Sequence, residues 1–80
     1  MLEQVMSTIG RRLRDRRRLL GLTQAKLARE CGLSFQQIQK YETGAVAIAA
    51  SRLFIIARAL GVSVGYFFEG VPRAETASPK

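Results

Sequence analysis

Residues 24–44 read Gln-Ala-Lys-Leu-Ala-Arg-Glu-Cys-Gly-Leu-Ser-Phe-Gln-Gln-Ile-Gln-Lys-Tyr-Glu-Thr-Gly, and the spacing inside this stretch decides the architecture. Thr23, just ahead of it, carries a hydroxyl able to cap the free amides of a helix, and Leu27, Ala28 and Cys31 then fall on one helical stripe. Gly32 can take the left-handed conformation that a helix end demands, so the helix stops there. Only Leu33 separates it from Ser34, an N-cap with Gln37 three residues on, as in a capping box. A further helix is predicted from Ser34 to about Thr43, with Gly44 as its stop.

Two helices joined this tightly cross at a steep angle, which calls for a small side chain at the crossing, and Ala28 is placed for it. Leu27, Ile38 and Tyr41 then wedge the pair onto the rest of the core. Residues 24–43 thus have the form of a helix-turn-helix, against the alternative of an ordinary antiparallel helix hairpin. Upstream, Ile9, Leu13 and Leu20 mark one side of a helix from about Ser7 or Thr8 to Leu20, stopped by Gly21. Six arginines lie between Arg11 and Arg18. Arg11, Arg14 and Arg18 are assigned to a solvated face, whereas Arg17, four residues after Leu13, falls on or beside the inward one.

Downstream, Ala45 to Ala50 read as a connection, and Leu53, Ile56, Ala57 and Leu60 mark a fourth amphipathic helix closed by Gly61. Ser63 is placed to cap a short fifth helix carrying Val64, Phe67 and Phe68. No strand pattern is present. The expectation is one all-α domain over residues 7–69, with residues 1–6 and 70–80 as flexible termini.

The chain's 80 residues suit one small domain, and 48% hydrophobic residues suffice for its core. Thirteen Lys and Arg against six Asp and Glu give a net charge of +7. That balance suits a polyanionic partner, either nucleic acid or an anionic membrane surface, or serves solubility alone. Cys31 is the one cysteine and histidine is absent, which excludes an intrachain disulfide and a Cys/His zinc site. No apolar run approaches the roughly 18 residues of a membrane span, and Met1 to Met6 lack a signal peptide's apolar stretch. A cytoplasmic protein with no membrane partner is expected. A basic membrane-surface helix over residues 11–18 is disfavoured because the core needs its apolar stripe. The acids are scattered, so no catalysis, metal, cofactor or small-molecule ligand is read from the chain.

The helix after Ser34 has a dry side at Ile38 and Tyr41 and a wet side at Phe35, Gln36, Gln39, Lys40 and Thr43. Gln bonds adenine bidentately, Lys donates to guanine O6 and N7, and an exposed aromatic touches a thymine methyl. Phe35, Gln36, Gln37 and Lys40 are the candidate base-readers, because side chains near the start of such a helix reach furthest into the major groove. Phe35 has two alternatives, covering the motif's own turn or joining a protein interface. Gln24 and Thr23, at a helix N-terminus whose amides favour an anion, are candidate phosphate contacts, as are Ser34 and Thr43.

Leu22-Thr-Gln-Ala-Lys-Leu-Ala28, Gly32-Leu-Ser34, Gln37-Ile-Gln-Lys-Tyr-Glu42, Gly44 and Ala57-Arg-Ala-Leu-Gly-Val-Ser63 resemble the Cro and XRE, lambda-repressor-like, family. The resemblance covers about residues 7 to 69 and implies a compact five-helix domain that binds duplex DNA as a transcription regulator associated with the bacterial nucleoid. It also implies an ion pair between Arg17 and Glu42, structural rather than base-reading, and adds Arg12, Lys26, Ser51 and Arg52 as backbone contacts. The chain departs from the family at Ala45-Val-Ala-Ile-Ala49, where relatives carry polar or basic residues. A homodimer is expected because one short helix reads few base pairs, with outward Ile55, Tyr66 or Phe68 as the region to inspect. The competing class is a bridging or antitoxin-like protein-interaction module of the same fold.

Overall fold

Leucine and isoleucine at helical spacing, punctuated by glycine, produce four α-helices among the described residues, 1–71, of the computed structural model. They are α1 (Leu2–Leu19), α2 (Gln24–Cys31), α3 (Phe35–Thr43) and α4 (Ala50–Leu60), followed by a 3-10 turn over Val64–Phe68. Leu13, Leu27, Ile38, Ile56, Leu60 and Phe67 are the largest fully buried side chains, so every element contributes to one core. At about 1.5–3 kcal/mol for each such side chain, these six dominate the stabilisation. α1 lies across α3 and the 3-10 turn, and α4 backs onto α2.

The capping chemistry appears at both motif helices. Thr23 Oγ1 accepts from Lys26 N at 3.0 Å at the start of α2. Ser34 Oγ accepts from Gln37 N at 3.1 Å while Gln37 Oε1 accepts from Ser34 N at 2.9 Å, the reciprocal capping box. Gly32 ends α2 at φ +69° with open space where a Cβ would sit, so backbone conformation alone favours glycine there.

Three expectations need correction. The fifth helix is a 3-10 turn: it is five residues long, Gly65 weakens it, and the Ser63 hydroxyl makes no cap bond. Its bonds close over three residues, from Tyr66 N to Ser63 O at 3.1 Å, which suffices to press Phe67 into the core. Residues 1–6 are not a loose terminus, because α1 begins at Leu2 and Val5, one turn before Ile9, packs on the core. Leu20 is not a core residue: it stands at the end of α1 and is 43% exposed, since the chain turns away at Gly21. At the C-terminus, Gly70 and Val71 follow the turn, with Val71 N donating to Phe68 O at 3.0 Å, and the rest of the expected 70–80 tail lies outside the described residues.

Candidate nucleic-acid interface

Burial around α3 divides it lengthwise. Ile38, Tyr41 and Glu42 are buried, while Phe35, Gln36, Gln39, Lys40 and Thr43 are exposed. The result is a convex ridge of amide, ammonium and aromatic groups whose opposite side is locked into the core. Gln37 is half-buried, and its carbonyl oxygen is already held by the capping box, leaving the amide NH2 free. Phe35 is 43% exposed at the N-terminal end of the ridge.

What holds the ridge in position is a buried network joining three helices. Arg17 of α1 donates from Nε to Glu42 Oε2 at 2.5 Å and from Nη2 to Glu42 Oε1 at 3.0 Å, a bidentate fork. Its remaining nitrogen, Nη1, donates to Leu22 O at 2.8 Å in the turn before α2. Gln24 Nε2 donates to Glu42 Oε1 at 2.9 Å. The acid at the end of α3 is thus tied both to α1 and to the first residue of α2. The charges are desolvated, with side chains only 9% and 2% exposed, so each requires the other.

Around this network the candidate backbone contacts are unequal. Thr23, Lys26, Ser34, Thr43, Ser51 and Arg52 are all exposed on their helix ends or faces. The Thr43 hydroxyl donates to Lys40 O at 3.1 Å, and Arg52 Nη1 donates to the buried Tyr41 hydroxyl at 3.2 Å, which orients both. Gln24 keeps one amide hydrogen beyond its bond to Glu42. Arg12 Nε donates to Tyr66 O and its Nη2 to Glu69 Oε1, both at 2.7 Å, with the guanidinium 4.3 Å from the Tyr66 ring centre. Those contacts occupy it as a clamp between α1 and the 3-10 turn.

Three residues carry more than their sequence context announced. Arg14, read as solvated, has its Nε buried with no hydrogen-bond partner among the described residues. It lies four residues after Gly10 and three before Arg17, on the side of α1 that meets the end of α3. Arg16, which the charge run concealed, donates to Leu60 O at 2.9 Å and caps α4 from outside. Gly10 is buried in mid-helix, where a Cβ would collide with the carbonyl oxygen of Tyr41 and lie 2.7 Å from that of Glu42. A glycine inside an otherwise good helical pattern was the available signal for a close backbone approach.

The metal-ligand types form no cluster of three among the described residues. Cys31 is buried, and burial, with the Glu30 carboxylate second, pushes its thiol above the ordinary range, so it is packing rather than a nucleophile. No described helix is long and apolar enough to cross a membrane.

Comparison with known proteins gives concordant matches. The model of the helix-turn-helix family HTH_3 matches residues 13–67. The chain is 50% identical over 74 residues to an uncharacterized transcriptional regulator in the ATPase CF(0) region of Rhodospirillum rubrum, covering 92% of this chain and 68% of that protein. It is 50% identical over 64 residues to an uncharacterized HTH-type transcriptional regulator of Sinorhizobium medicae, covering 80% of this chain. It spans 46% of that relative's length. Among solved structures it is similar to the restriction-modification controller protein C.AhdI from Aeromonas hydrophila, with TM-score 0.76, 28% identity and coverage of 79% of this chain and 96% of that one. An HTH_3 family transcriptional regulator from Vibrio cholerae gives TM-score 0.81 and 26% identity over 90% of this chain and 40% of that one.

Proposed function

The chain belongs to the HTH_3 helix-turn-helix family of Cro and XRE type, DNA-binding transcription regulators, and from that premise we propose that it recognises a specific duplex sequence by seating α3 in the major groove. The observation that carries this reading is the exposed ridge Phe35, Gln36, Gln39 and Lys40, backed by a buried ion pair that prevents it from rocking. In the groove, Gln36 bonds an adenine edge, Lys40 a guanine edge, and Phe35 covers a thymine methyl. The free amide of Gln37 has a secondary part.

Phosphates are held by the N-terminal amides of α2 with Thr23 and Gln24, by Ser34 and Thr43, and by the exposed Lys26, Ser51 and Arg52. Arg12, whose Nη1 makes no bond among the described residues, completes this set. Two copies bind a pseudo-palindromic operator with half-sites about 34 Å apart. The net charge of +7 supports the same partner.

Selection of bound duplexes from a random pool, repeated with Gln36→Ala, tests the reading. A two-fold symmetric site is expected, with preference relaxed at one base pair per half-site in the variant. Lys26→Gln should weaken binding uniformly across sequences and lower the log–log salt slope by about 1. A pool that never enriches overturns the proposal. The uncharged 45–49 loop with exposed Val46 favours one second reading, a protein-interaction module of bridging or antitoxin type. That module would hold its partner with little dependence on salt, whereas DNA binding weakens steeply as salt rises.

A further inference from the structure

α3 carries three glutamines, and the fold leaves them unequal. Gln37 is half-buried, and its Oε1 already accepts from Ser34 N at 2.9 Å. Gln36 and Gln39 are exposed. Among the described residues the glutamine side chains that make hydrogen bonds are those of Gln24 and Gln37, so both amide atoms of Gln36 and Gln39 are free. Pairing with adenine needs both atoms at once, the carbonyl oxygen accepting from N6 and the NH2 donating to N7. Gln37 cannot do this while it caps α3. Its NH2 alone is one donor, which does not distinguish the N7 of adenine from that of guanine.

The two free amides also share a direction. With 3.6 residues per turn, Gln39 falls about 60° from Gln36 around the axis, on the side towards Phe35, and Lys40 about 40° on the other side. Ile38, Tyr41 and Glu42 take the opposite, buried side, so Gln39 points out of the domain together with Gln36. Along the axis the pair is three residues and about 4.5 Å apart, close to the rise of about 3.4 Å between successive base pairs. The carboxylate three residues on, Glu42, is turned inward and engaged by Arg17 and Gln24, so it does not draw the Gln39 amide away.

We propose that Gln39 is a further specificity-determining residue: with Gln36 it forms a pair of free amides that reads two neighbouring A·T pairs in each half-site. The inference deepens the reading of α3 as the groove-seated helix and rests on it. Gln37, its oxygen withheld by the capping box, adds no third adenine. The half-site therefore contains a step of two A·T pairs, one under each exposed glutamine, besides the G·C pair under Lys40.

Selection from a random duplex pool with wild type, Gln36→Ala and Gln39→Ala locates the two pairs, and fluorescence anisotropy on the selected operator measures them. Wild type should select adjacent A·T pairs, and Gln39→Ala should lose preference at the one next to that lost by Gln36→Ala. Changing that pair to G·C should weaken wild type by about 5- to 150-fold, the worth of one bidentate contact, and the variant hardly at all. Replacing its adenine by 7-deazaadenine, which lacks the N7 acceptor, should weaken wild type and leave Gln39→Ala unmoved, a readout that a merely structural role would not produce. Thermal unfolding of Gln39→Ala should match wild type, since the side chain is exposed and unbonded in the domain. The proposal is overturned, with the groove reading intact, by a selected site lacking adjacent A·T pairs or by a variant that keeps the wild-type preference at every pair. A variant weakened equally on all duplexes, as loss of a phosphate contact would cause, or one still sensitive to 7-deazaadenine overturns it as well. A wild type that enriches no site overturns the groove reading and the assignment of Gln39 with it.

Discussion

Replacing Arg17 by Met removes the guanidinium fork while keeping most of the side-chain volume, and so isolates the electrostatic part of the three-helix network. The Glu42 carboxylate would remain, 2% exposed, with only the Gln24 amide as partner. Leaving one member of a buried ion pair without the other costs about 3–5 kcal/mol. The lost bond to Leu22 O adds about 1 kcal/mol. Against a total stability of about 5–15 kcal/mol, the variant should stand near the edge of folding. For a domain this small, a loss of about 4 kcal/mol, the low end of that sum, corresponds to a fall in melting temperature of about 16–32 °C.

Urea and thermal denaturation followed by circular dichroism measure the loss directly. The double variant Arg17→Met with Glu42→Leu should recover much of it, since apolar residues of similar size can replace a buried pair at little cost. Arg17→Met with unchanged folding stability would refute the reasoning, because it would mean that Glu42 reaches water or a cation on its own. A double variant no more stable than the single one would show that the loss comes from packing at Leu22 and not from the stranded carboxylate.

Three further outcomes are expected. Gly10→Ala, which in an unpacked helix would gain up to about 1 kcal/mol, should here destabilise by about 1–3 kcal/mol because the methyl meets the Tyr41 and Glu42 carbonyls, and urea titration reads the sign. Ser34→Ala should cost about 1 kcal/mol by removing the hydroxyl half of the capping box, again by urea titration, and a neutral result would show that Gln37 alone caps α3. Cys31 should resist alkylation in the native state, and its raised folded pKa has a definite sign: the contribution is fully present below the unfolded thiol value of about 8.5 and is lost as pH rises through the folded value. Cys31→Ala should flatten that alkaline loss, and an unchanged pH profile would assign it to other groups.

Local rules made the motif legible before any coordinates. Thr23, Ser34 and Gln37 act through hydroxyl and amide bonds spanning three residues, and Gly32, Gly44 and Gly61 through their own backbone angles, so their neighbours in the chain suffice to place them. Periodicity likewise identified Leu13, Leu27, Ile38, Ile56 and Leu60 as core, because each helix turns 100° per residue wherever it sits. Two of the errors, at Leu20 and at Val64–Phe68, occurred where the helical period stops applying. Leu20 lies past the end of α1, and Val64–Phe68 is too short for α-helical bonds to establish themselves.

The sequence by itself determined the helix boundaries around the turn, the apolar stripes and which side of α3 stays wet, since these follow from interactions within one turn of chain. Only the tertiary structure decided how the other arginines of α1 are shared out: Arg12 goes to Tyr66 and Glu69, and Arg16 to Leu60. These partners lie 54, 57 and 44 residues away for Tyr66, Glu69 and Leu60, and nothing in the helical spacing of Arg12 and Arg16 announces them. Long flexible cations take whichever acceptor the packing of distant elements brings within reach, so their roles come into being only when the helices meet.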